Sequence, residues 1–125
     1  MDAKLAIRAF LDLLEEVSSV DEQIKLWLNI ENDSTMISSY VEFICELNSG
    51  DFEYVVNNKI NDELLKEKLQ ELFNTINKYE EPKLYKKWQN DVYIVGDPKW
   101  KEIRDFAKNI RHSYSDFLDE LKSEV

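Results

Sequence analysis

Two glycines and two prolines in 125 residues leave this chain few means of making tight turns. An all-β fold needs such a turn every dozen residues or fewer, so that class is excluded first. The apolar residues then supply a positive reading, because they recur at helical spacing. Ala6, Phe10, Leu13, Leu14 and Val17 fall on one stripe, with Asp12, Glu15 and Glu16 off it. That pattern predicts an amphipathic helix over residues 2–17.

Ser19 and Glu22 have the spacing of a capping box, so a second helix is predicted from about Val20, with Val20, Ile24, Trp27 and Leu28 on one face. A third helix is expected after Asp33 or Ser34, with Ile37, Tyr40, Val41, Ile44 and Leu47 inward and Gly50 past its end. The stretch Phe52 to Val56 reads as a short helix or an extended connector. Asn61 is placed to cap a long helix that carries Leu65, Leu69, Leu72, Phe73 and Ile76, with Pro82 at its exit. Residues 80–96 are the least regular part, ending in the β-prone run Val92 to Val95. Asp97-Pro98 is a strong helix start, and Trp100, Ile103, Phe106, Ala107 and Ile110 follow it at steps of three and four. The stripe continues through Tyr114, Phe117, Leu118 and Leu121, with a bend expected near His112-Ser113. The expectation is one all-α domain over residues 1–125, a bundle of about five helices.

Charge is the second constraint. The net charge is −10, and it is unevenly placed. Residues 1–58 hold 12 acidic and 3 basic side chains, a net −9, whereas residues 59–125 carry only −1. Such a field repels nucleic acid and anionic membrane surfaces, so neither is expected as a partner. It attracts a cationic protein instead. Glu31, Asp33, Glu42, Glu46, Asp51 and Glu53 are expected to gather on one flank as the contact set, with Tyr40 or Phe52 as aromatic anchors.

Catalytic and metal-binding chemistry is not signalled. His112 is the single histidine and lacks a companion ligand at helical spacing. Cys45 stands alone beside the apolar stripe and reads as a buried inert thiol. The two glycines are isolated, so there is no phosphate loop. No enzyme activity, cofactor or metal is expected. Trp27, Trp88 and Trp100 read as core residues, although Tyr85 and Trp88 among Lys83, Lys86 and Lys87 can also form an exposed anchor. No apolar run approaches the length of a membrane span, and Met1-Asp2-Ala3-Lys4 reads as no signal peptide, so a cytoplasmic location is expected.

Taken in order, Gln23-Ile24-Lys25-Leu26-Trp27, the acidic turn after Leu47, Glu63-Leu64-Leu65 and Asp97-Pro98-Lys99-Trp100 resemble small acidic helical immunity proteins of bacterial contact-dependent inhibition and polymorphic toxin systems. The resemblance implies a protein that binds and neutralises a cognate toxin domain, with a basic nuclease as the expected target. A non-enzymatic regulatory or adaptor module that binds another protein is the alternative expectation.

Overall fold

A computed structural model describes residues 2–32, 37–80 and 91–125. Within them the regular structure is all helical, with no strand and eight helices rather than about five. These are α1 (Ala3–Ser18), α2 (Val20–Trp27), α3 (Tyr40–Leu47), α4 (Asp51–Asn58), α5 (Glu63–Glu80), α6 (Asp91–Gly96), α7 (Pro98–Ser113) and α8 (Ser115–Lys122). Helix α1 is the centre: it packs most extensively on α4 and α7 and also touches α2, α3 and α8. None of these helices is long and apolar enough to cross a membrane.

The extra helices come from local rules that override residue preference. Val92 to Val95 has strand-prone side chains, yet it lies in α6. A lone strand would leave its amides and carbonyls unpaired, whereas a helix satisfies its own. Only Ile94 of that run is fully buried; Val92 and Tyr93 face outward. Phe52 to Val56 likewise forms α4, presenting Phe52, Val55 and Val56 to the core. The last stripe is interrupted at Tyr114, just beyond the expected bend, which separates α7 from α8.

Caps fix the helix starts. Asp2 accepts from the amides of Lys4 and Leu5, Ser19 from Glu22, and Asp97 from Lys99. Asp62 rather than Asn61 caps α5, its Oδ1 accepting from the Leu65 amide at 3.0 Å. The start of α3 also differs from expectation. Ser39 accepts from the Glu42 amide at 3.1 Å, so the helix begins at Tyr40 and not after Asp33 or Ser34. Tyr40, Phe43 and Leu47 face inward, whereas Ile37, ahead of the helix, and Val41 are 63% and 57% exposed. Gly50 precedes α4 with φ +109°, and a Cβ there would meet nothing within 4 Å. Backbone conformation, not crowding, is therefore what requires glycine.

Two features tie the helices together. Phe10 packs on Phe52 at 5.0 Å between ring centroids, and Phe52 stacks on Phe73 at 5.8 Å. Elsewhere in the core Trp27, Tyr40, Phe43, Tyr79 and Trp100 form an aromatic cluster with centroid separations of 5.3–6.4 Å. Next to it Gln23 is fully buried. Its Nε2 donates to the carbonyls of Glu16 and Val17, each at 3.0 Å. Those carbonyls belong to the last turn of α1, whose acceptors the helix itself cannot satisfy. Gln23 Oε1 in turn accepts from Trp100 Nε1 at 3.0 Å and Arg104 Nη1 at 3.1 Å. One side chain thus closes the end of α1 and holds α7 against it.

Candidate acidic docking groove

Helices α1, α2 and α3 splay apart on one flank to leave a groove of about 560 Å³. Its walls carry Asp12, Glu15 and Glu16 from α1, Glu22 from α2, Glu42 and Glu46 from α3, and Asp51 at the start of α4. Lys25 is the one basic residue of the lining among the described residues, and Ala9, Leu26 and Ile37 supply apolar surface. The asymmetry in the sequence therefore has a place in the fold. Among the described residues the single ion pair is Lys101–Asp105 on α7, so no described cation neutralises a carboxylate of the groove by direct contact.

These carboxylates sense one another. Burial pushes the Glu46 carboxyl upward, and Glu42 and Asp12 push it further. Asp12 is raised by burial and by Glu15, against a smaller opposite effect of Arg8 and Lys122. Glu16 is the extreme case. It is 9% exposed, and its Oε2 accepts a hydrogen bond from Trp27 Nε1 at 2.6 Å. Burial outweighs that bond, and with Glu46, Glu22 and Asp12 nearby the carboxyl is pushed up to about 7. Close approach of like charges is unfavourable, and the fold maintains it here by anchoring each carboxylate on a rigid helix.

The expected contact residues divide. Glu42, Glu46 and Asp51 line the groove. Glu31 is exposed but sits in the turn after α2, where it and Asn29 adopt left-handed backbone conformations with φ of 51° and 54°. Glu53 is exposed on α4 and faces a smaller cavity beside Phe73 and Asn74. Asp33 lies outside the described residues. Tyr40 and Phe52 are not surface anchors, being 2% and 1% exposed. Each is near the start of its helix on the side that faces α1 or α5, so its ring belongs to the core. Burial and the neighbouring Glu80 push the Tyr40 phenol well above its ordinary value. Exposed Ile37 is instead an apolar side chain that lines the groove.

Four of the seven groove carboxylates, Asp12, Glu15, Glu16 and Glu22, were outside the expected set. Their signal was present, since Asp12, Glu15 and Glu16 lie off the apolar stripe of α1, but pairing that face with α3 requires the tertiary fold. Cys45 also departs from expectation: it is exposed on α3, not buried. His112 is exposed near the end of α7. Among the described residues no three His, Cys, Asp or Glu side chains are grouped so as to hold a metal. Trp27 and Trp100 are core residues, whereas Tyr85, Trp88 and the three lysines around them lie outside the described residues. No family model matches the chain, and no curated protein or solved structure matches it either.

Proposed function

We propose that this chain is an immunity-type binding protein that neutralises a cognate toxin domain by seating a cationic surface of that domain in the α1–α2–α3 groove. The observation that carries the reading is the convergence of seven carboxylates with one lysine, none of them ion-paired among the described residues. A nuclease surface is cationic because it must hold phosphates, and it complements such a groove. Long-range attraction would raise the association rate by roughly 10–10³. Ile37, exposed just ahead of α3 in the groove lining, offers apolar contact once the charges have steered the partner in.

The test is co-purification of the tagged chain with the product of the adjacent gene, together with suppression of that product's toxicity. The double variant Glu42→Lys/Glu46→Lys keeps the helical content, because both side chains are exposed, and associates at least about tenfold more slowly. Association of the double variant at the parental rate would remove the groove from the account.

A further inference from the structure

One wall of the acidic groove carries a carboxyl group unlike its neighbours. Glu16 lines the groove, yet it is only 9% exposed. Among the described residues its carboxyl makes one hydrogen bond, Oε2 accepting from Trp27 Nε1 at 2.6 Å. The indole is itself buried and packs on Trp100, so it fixes where that oxygen stands. A carboxylate with a single donor and no cation is costly to keep ionised away from water, whereas the neutral carboxyl is not.

The charged groups around Glu16 come from four helices. On its own helix stand Asp12 and Glu15, on α2 Glu22 and Lys25, on α3 Glu42 and Glu46, and at the start of α4 Asp51. Burial is the strongest influence favouring the neutral carboxyl, and Glu46, Glu22 and Asp12 act in the same direction, so that it titrates at about 7. Lys25 is the one cation of this lining among the described residues, and it forms no ion pair there. Arg8 and Lys122 bear on Asp12 rather than on Glu16. Helices α7 and α8 also pack on α1, but Arg104, Lys108, Arg111 and Lys122 line a separate groove in which Glu16 has no part. The described lining thus surrounds this carboxyl with anions and sets no paired cation against it.

We propose that docking of a cationic surface in this groove expels the Glu16 proton to solvent, so that the groove grips its partner more strongly as pH rises through the neutral range. This coupling rests on the proposed docking of a cationic partner in the groove and adds its regulation. An incoming guanidinium or ammonium brings the opposite charge, and a cation within about 4–6 Å lowers a carboxyl by about 1–3 pH units. The O–H bond of the carboxyl breaks and its proton passes to the buffer. Oε2 keeps the Trp27 indole as donor, and the carboxylate left behind faces the cation. In acid the carboxyl stays neutral and attracts little; well above pH 7 it is already ionised and no proton leaves. Release is therefore largest between the midpoints of the free and the bound chain.

The experiment uses the full-length chain with a hexa-arginine peptide as the cationic probe. The side-chain carboxyl carbons of Glu16, Glu42 and Glu46 are followed by NMR across the acid and neutral range, with and without the peptide. The Glu16 midpoint is expected to fall by about one pH unit or more when the peptide is bound. Calorimetry at about pH 6.5 in two buffers of different ionisation enthalpy counts the protons released, with about half a proton or more expected for the parent and clearly fewer for Glu16→Gln. Between about pH 5 and pH 8 the parental affinity is expected to rise about tenfold more than that of Glu16→Gln. The carboxyl titration is read on the parental chain alone, so it decides the matter should Glu16→Gln disturb the core. A peptide that perturbs Glu42 and Glu46 but leaves the Glu16 midpoint in place overturns the proton coupling and leaves the docking groove standing. A Glu16 midpoint at the ordinary 4.5 in the free chain also overturns the coupling. A peptide that perturbs neither Glu42 nor Glu46 at millimolar concentration overturns the groove as a cationic docking surface, and the coupling with it.

Discussion

The indole N–H of Trp27 donates to Glu16 Oε2 at 2.6 Å, placing a carboxyl group between the aromatic cluster and the acidic groove. Glu16 is thereby part of both the core and the surface that meets solvent. Its protonation connects the stability of the fold to the charge of the groove.

That connection has a definite sign. The Glu16 carboxyl titrates at about 7 in the folded chain against 4.5 ordinarily, so the folded state holds its proton over that interval and the unfolded state does not. Its contribution to stability is therefore fully present below about pH 4.5 and is lost as pH rises through 7. Glu16→Gln retains an acceptor for Trp27 and removes the ionisation. The variant is expected to be more stable than the parent by about 1–3 kcal/mol at pH 8 and nearly equal at pH 4. Urea denaturation at the two pH values measures both.

Gln23 joins α1, α2 and α7 through four hydrogen bonds while fully buried. Gln23→Leu keeps the volume but orphans two carbonyls of α1, the Trp100 indole and one donor of Arg104. A loss of about 2–5 kcal/mol is expected, since each unsatisfied buried group costs on the order of 1–3 kcal/mol. Thermal unfolding followed by circular dichroism, with Trp fluorescence as a second probe, tests it.

Gly50→Ala isolates backbone strain from packing. A Cβ added at this position would enter open space, but the backbone φ is +109°. The substitution is expected to destabilise by about 1–2 kcal/mol, the cost of forcing an L-residue into the left-handed region. A neutral result in chemical denaturation would mean that the α3–α4 turn relaxes to another conformation.

Cys45 lies on the exposed side of α3, between Glu42 and Glu46 in sequence. It is expected to react with a maleimide in the native chain as completely as in the denatured one. Bound partner should protect it, because a surface seated against Glu42 and Glu46 covers the same helix face. Mass spectrometry before and after complex formation reads the difference.

Much of the helical scaffold was legible in the letters because its signals are local. The stripe Phe10, Leu13, Leu14 and Val17 is buried as its spacing implies, and Asp97-Pro98 opens α7 with the Asp97 side chain bonded to the Lys99 amide. The break at Tyr114 was readable to within a residue or two. What was not legible depends on contacts between distant segments. Ser39, not Asp33 or Ser34, caps α3, and the core takes Phe43 rather than Val41 from that helix. Phe52 looked available beside acidic neighbours, but Phe10 and Phe73 enclose it. Of the groove, the α3 carboxylates were visible as an acidic run, whereas Glu16 acquires its character from Trp27 and Glu46, residues that only the folded chain brings to it.

The most direct measurement is the association rate with the partner encoded by the adjacent gene, taken from low salt to about 0.5 M, where charge interactions are screened within a few ångströms. The rate for the parental chain is expected to fall steeply with salt, and the rate for Glu42→Gln/Glu46→Gln to start lower and fall less. A parental rate indifferent to salt, or the same salt dependence in the double variant, would contradict the acidic groove as the docking surface.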